Sequence, residues 1–199
     1  MPQIDSAVLS VGTGNFYTCP YVTATPTAAP ATKPLLLAPA TPWASIGHTS
    51  LEDILSVSSE GGEATVLGTL QNRNLRTSYS ARTEALAIVL QQADEPGLKL
   101  YYGDNFEKID SANNGGTGAG VSLFNGVPAL PTPAIRSFLA VFQDGAQVFA
   151  FYAPKAEIYR SDDLEIADTE SLLGLPLNVK PLIHGTNKWA YAVTPLLAL

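Results

Sequence analysis

The sequence predicts an all-β fold, a β-sandwich or open β-barrel of about eight strands with one short flanking α-helix. Three observations carry that expectation. The stretch from Trp43 to Gly103 holds no proline until Pro96, although seven of the fifteen prolines precede it. Proline removes a ladder donor, so this stretch alone has room for long uninterrupted strands. Near its end Leu86, Ile88 and Leu90 fall on one face and Ala85, Ala87 and Val89 on the other, the period of two that a strand covered on both faces requires. Further on, Asp144-Gly145 sits between two alternating apolar runs, the strongest short hairpin signal, because both turn positions favour positive φ.

In chain order, residues 1–42 read as an extended N-terminal arm rich in Pro, Ala and Thr. VLSVG and NFYTCPYV are short strands in it, and TATPTAAPATKPLLLAPATP is held extended by its prolines. Composition alone suits a loose tail. The triplet Leu35, Leu36 and Leu37 requires a surface, so the arm is expected to dock on a neighbouring subunit. Residues 43–199 form one domain. In it a strand over 54–59 turns at Gly61-Gly62 and returns over 63–69; after a polar turn at 71–74, a longer strand runs over 76–92. Residues 94–102 (DEPGLKLYY) form the helix, with Pro96 tolerated in its first turn. A loop follows over 104–120, most flexible at NNGGTGAG. The hairpin pairs 134–142 with 147–160, where Pro154 marks an edge or a bulge. A last strand pair covers 164–167 and 175–184. The C-terminal arm, 185–199, carries Trp189 and ends apolar, which suits docking on a partner.

At 199 residues and 21.0 kDa the chain suffices for one domain with a sizeable core. Only 15% of residues are charged, against about 25% in typical soluble domains. Repeated subunits are the simplest cover for a surface so short of charge. The net charge of −7 disfavours phosphate binding, which is driven by counterion release to Lys and Arg. It suits a wall past which DNA moves without adhering. Cys19 is the only cysteine, so neither an intramolecular disulfide nor a thiolate zinc site is expected. No basic stretch followed by an apolar core marks a secretory signal, and no apolar run is long enough to insert in a membrane. Synthesis and assembly in a cytoplasm are expected.

Candidate chemistry is sparse. His48 lies in GHTS near Glu52 and Asp53, a sketch of a metal or general-base site. One imidazole beside carboxylates is common by chance, however, and a structural hydrogen-bonding role is the expectation for His48 and for His184. No second imidazole stands at a ligand spacing, and no Gly-x-Ser-x-Gly elbow is present. The glycine-rich loop is not followed by Gly-Lys-Ser/Thr, so it is no phosphate cradle. No catalytic residue, metal site or cofactor is expected. Glu157, Asp162, Asp163, Glu165, Asp168 and Glu170 form an acidic group offset locally only by Arg160. It lacks the Asp-x-Asp-x-Asp-Gly calcium pattern. It is either a solvated loop or a surface facing a lumen or an adjoining ring. Arg73 and Arg76 either grip carboxylates of an adjacent subunit or form an exposed basic turn.

The ordered set of a Trp followed by IGHTS, EGGE-x-x-V-x-GT-x-QN-x-x-LRT, an apolar strand and LYYG resembles the major tail (tail tube) proteins of long-tailed phages of actinobacteria. The resemblance spans roughly Ala7 to His184 and is densest between Trp43 and Gly103. It implies a structural virion protein of the phage tail, assembled as stacked hexameric rings into a tube for genome delivery. His48, part of the resemblance, carries no catalytic role in it. The implied partners are other copies of the chain, the tape-measure protein, the tail terminator and baseplate or tip proteins, with DNA passing through unbound. Subunit-interface candidates are Leu35, Leu36, Leu37, Arg73, Arg76 and Trp189. One alternative is a β-sandwich carbohydrate-binding or adhesion module with Tyr79, Tyr101, Tyr102 and Trp189 as an aromatic platform. The other is a hydrolase using His48 or His184.

Overall fold

The computed structural model describes residues 8–22, 29, 36–109, 123–164, 166 and 172–198. Strands β1 (Thr13–Pro20), β2 (Ala44–Ser45), β3 (Ser56–Gly61), β4 (Ala64–Leu67), β5 (Arg76–Tyr79) and β6 (Arg82–Leu90) precede helix α1 (Glu95–Tyr102). After it come β7 (Glu107–Lys108), β8 (Asn125–Gly126), β9 (Ala134–Asp144), β10 (Gln147–Arg160), β11 (Leu175–Pro181), β12 (Ala192–Val193) and β13 (Leu197–Ala198). The main sheet runs β2-β1-β9-β10-β11-β6-β3, with β12 and β13 also paired to β10; β4-β5 and β7-β8 are separate ribbons. All its pairings are antiparallel.

This sheet closes on itself at one corner. The Ile46 amide donates to the Phe16 carbonyl on β1 at 3.1 Å, while beyond it the Ser50 amide donates to Val89 at 2.8 Å and the Gln91 amide to His48 at 2.7 Å. Thr49 faces Leu90 in an isolated bridge. Residues 44–50 therefore join the β1 side of the sheet to the β6 side, producing an open barrel. Its interior holds Phe16, Ile46, Leu86, Ile88, Leu90, Phe138, Phe142, Ile158, Leu175, Leu177 and Val179.

Helix α1 packs on this core through Leu100 and Tyr101. It begins where the Asp94 carboxylate accepts the Gly97 amide at 2.9 Å, with Pro96 in the first turn and Lys99 paired to Glu95 at 3.2 Å. On the opposite face of β9 and β10 a second cluster gathers Leu36, Leu139, Val141, Val148 and Ala150, covered by Leu37, Trp43, Tyr152 and Leu197. The core face of β10 changes across a register shift between Ala153 and Ala156. Pro154 lies in this bulge, and the buried Ser137 hydroxyl donates to its carbonyl at 2.7 Å, satisfying an acceptor the ladder leaves open.

Several expectations change. Gly61-Gly62 does not reverse the chain: β3 pairs with β6, Gly61 opposite Arg82, and β4 pairs with β5, Ala64 opposite Tyr79. Residues 56–90 are thus one long hairpin whose reversal lies between β4 and β5. The glycines, at φ +84° and +72°, form a joint in one arm, where a Cβ on Gly61 would strike the Ala81 carbonyl. The expected strand over 76–92 is broken at the same joint, at Ser80-Ala81. The β9-β10 turn lies one residue later than expected, since Asp144 pairs with Gln147. Gly145 and Ala146 turn, and only the glycine takes positive φ. Residues 8–12 form no strand, nor do 164 and 166; β11 pairs instead with β10 and β6. The expected strand in NFYTCPYV is present as Thr13–Pro20, but it lies beside β9 in the main sheet, with Phe16 buried in the barrel interior.

Candidate assembly surfaces

The hairpin arm is the feature a single subunit leaves unfinished. Every residue of β3, β4 and β5 is exposed, yet the arm carries Leu70 at 91% exposure, Tyr79 at 72% and Leu75 at 61%, with Val57, Val66 and Leu67 also exposed. A two-stranded ribbon without a cover is marginal in water, and apolar side chains gathered on one projection mark a contact surface. The QN motif shapes its tip. The Asn72 amide donates to the Thr69 carbonyl (3.2 Å) and hydroxyl (3.2 Å), its own carbonyl accepts from Thr69 (2.7 Å), and its carboxamide oxygen accepts the Asn74 amide (3.2 Å). Arg73 and Arg76 are exposed on this tip.

The remaining interface candidates fall elsewhere. Leu36 is buried against the chain's own second cluster and Leu37 packs beside it, its carbonyl accepting the Tyr17 hydroxyl at 2.8 Å. Leu36 is thus covered within the subunit, while Leu37 is half-buried. Leu35 lies outside the described residues. Trp189 is 42% exposed and leans on Tyr152 at 6.5 Å between centroids. Burial pushes the Tyr152 hydroxyl up to about 12.

Of the acidic group, Asp162 and Asp163 are exposed in the turn that leaves β10. The Asp162 carbonyl accepts the Tyr101 hydroxyl at 3.0 Å, fixing that turn beside α1. Glu157 is half-buried within β10, directly opposite Lys180 on β11, a cationic neighbour that the linear sequence hides. Glu165, Asp168 and Glu170 lie outside the described residues.

The other side chains raised by the sequence are dispersed. His48 is exposed and serves through its backbone, as amide donor to the Gln92 carboxamide (3.3 Å) and as the carbonyl that closes the barrel. Glu52 and Asp53 donate their amides to the Ser50 hydroxyl at 3.3 and 3.2 Å. His184 Nδ1 bonds the Tyr21 hydroxyl at 2.7 Å, with the Lys155 ammonium 5.3 Å above the tyrosine ring. The four aromatics of the platform do not form one surface: Tyr101 and Tyr102 meet edge to face at 4.9 Å, but Tyr101 is buried in the core, Tyr102 stacks on Phe106, and Tyr79 stands on the arm.

A groove of about 490 Å³ at the end of β6 and β11 escaped the sequence reading. Arg82, Glu84, Lys180, Lys188 and Tyr191 line it. Glu84 is held by Arg82 at 2.8 Å and accepts the Tyr191 hydroxyl, which fastens the C-terminal segment to β6. That hydrogen bond, followed by burial, raises the Tyr191 pKa. No spacing rule connects residue 84 to 191; they meet because β11 pairs with β6 while β12, which follows Tyr191, pairs with β10.

The fold and this ribbon define an all-β protein that fills its own barrel and leaves a projecting apolar surface uncovered among the described residues. The comparisons say which kind. A family model described as phage tail tube protein matches residues 1–195. Two major tail proteins Gp23 are similar: that of Mycobacterium phage L5 is 30% identical over 190 residues, covering 92% of this chain and 89% of the relative. That of Mycobacterium phage D29 is 32% identical over 192 residues, with the same coverage. The chain belongs to the phage tail tube protein family.

Proposed function

We propose that identical copies of this chain assemble into rings, six to a ring as the family resemblance implies, and that the rings stack into the hollow tube through which a phage genome leaves the particle. The observation that carries this reading is the exposed apolar arm. Burying apolar surface contributes about 25 cal/mol per Å², so Leu70, Leu75 and Tyr79 stabilise a contact with a second copy that they cannot make within their own subunit. The acidic balance of the chain, −7, then keeps a passing duplex from adhering to the wall. The role is assembly and passive conduction rather than catalysis. The tape-measure protein, the tail terminator and the baseplate or tip proteins are the partners expected inside the tube and at its ends. Assembly takes place in the host cytoplasm.

Negative-stain microscopy of the concentrated, purified protein tests this, alongside a variant in which residues 63–79 are replaced by a two-residue turn. The expected result is tubes or rings from the intact chain and folded, unassembled subunits from the shortened one. Tubes of equal length from both would remove the arm from the account.

A further inference from the structure

The main sheet is electrically polar along its strands. β11 runs from Leu175, paired with Leu90, to Pro181, paired with Ala156; at about 3.3 Å per residue these ends lie roughly 20 Å apart. At the Leu175 end, the chain leaving β10 at Arg160 enters the turn of the exposed Asp162 and Asp163, with Asp163 3.9 Å from the Arg160 guanidinium. At the Pro181 end lies the groove of Arg82, Lys180 and Lys188. Its one carboxylate, Glu84, is already engaged by Arg82 and Tyr191. Lys188 has no carboxylate partner among the described residues, and Lys180 forms no ion pair there although Glu157 stands opposite it on β10. The hairpin arm, continuing β3 and β6 beyond this same end, carries Glu60 and Glu63 as well as Arg73 and Arg76 and so leaves the balance to the groove lysines.

Resting on the tube reading, we propose that the groove of Lys180 and Lys188 is the seat for a second copy of this chain, which presents its Asp162-Asp163 turn. Opposite charges at opposite ends of one strand pair make a heterologous, head-to-tail contact. Such a contact repeats indefinitely instead of closing as a dimer. Complementary potentials fix direction and register and speed encounter, while like ends repel. Each subunit then adds with the same polarity, as a stack of identical rings demands. Interfacial charge pairs of this kind are screened by salt over about 8 Å at physiological ionic strength.

The test uses the full-length protein in four forms: unaltered, Lys180→Glu with Lys188→Glu, Asp162→Lys with Asp163→Lys, and all four changes together. Assembled and free protein are separated by sedimentation and imaged. Each double variant is expected to lose at least about tenfold in assembled fraction (~1.4 kcal/mol), the quadruple variant to recover it, and the unaltered protein to assemble more slowly as salt rises. Lys188 is exposed, so Lys188→Glu alone, paired with Asp163→Lys, decides the matter if the Lys180 change disturbs the fold. Normal assembly of both double variants would overturn the inference and leave the tube reading standing. Failure of the unaltered protein to assemble would overturn both.

Discussion

The Gln91 amide donates to the His48 carbonyl at 2.7 Å, and that hydrogen bond belongs to the backbone closure of the barrel. It accounts for an IGHTS segment that carries a histidine without using its imidazole. His48→Ala is therefore expected to change stability by less than about 0.5 kcal/mol and to leave assembly intact. Gly47→Ala is the damaging neighbour. A Cβ there would overlap the Gln92 carboxamide, so a cost of about 1–3 kcal/mol is expected. Chemical denaturation of the two variants checks the contrast.

The arm should separate folding from assembly. Leu70 is 91% exposed, so Leu70→Asp is expected to leave the unfolding of the free subunit within about 0.5 kcal/mol of the original. The same variant should form no tubes. Analytical sedimentation with thermal unfolding reads both quantities on one sample; loss of thermal stability without loss of assembly would contradict the exposed-contact reading.

The core should behave in the opposite sense. Phe138 is fully buried on β9, against Phe16 at 6.3 Å between centroids. Phe138→Ala should destabilise the subunit by about 3–5 kcal/mol, read by chemical denaturation, and reduce assembly only through the loss of folded protein.

Alkaline sensitivity follows from the tyrosines. Tyr152 is raised to about 12 by burial, and Tyr17, Tyr101 and Tyr191 are raised as well. The folded state resists ionising these groups, so the unfolded chain loses its protons first. The stability they contribute is whole below pH 10 and falls as the pH rises towards 12. Denaturation midpoints measured between pH 9 and 12 should fall, and Tyr152→Phe should flatten the decline.

The all-β class, the short helix and the β9-β10 hairpin were legible because each rests on local signals: period-two alternation, Asp94 before Pro96, a glycine after Asp144. The joint at Gly61 was misread because a glycine pair at positive φ serves a kink in a continuing ladder as well as a turn. Which strand receives β3 is decided by the Leu86 and Ile88 face, far along the chain. The strand in NFYTCPYV was legible, but its place beside β9 in the core was not, because the sequence set it in a proline-rich arm. Leu36 looked free for a partner until β9 and β10 placed Leu139 and Val141 beneath it. The basic groove was illegible for the same reason: Arg82 on β6 and Lys188 beyond β11 come to line one groove only in the folded chain.

Cryo-electron microscopy of tubes assembled from the purified chain tests the central claim most directly. The account predicts a hollow tube of six-membered rings in which the arm of each subunit, Leu70 and Tyr79 included, lies buried against another copy. A tube whose arms project freely into solvent, or a concentrated sample holding only monomers, would contradict it.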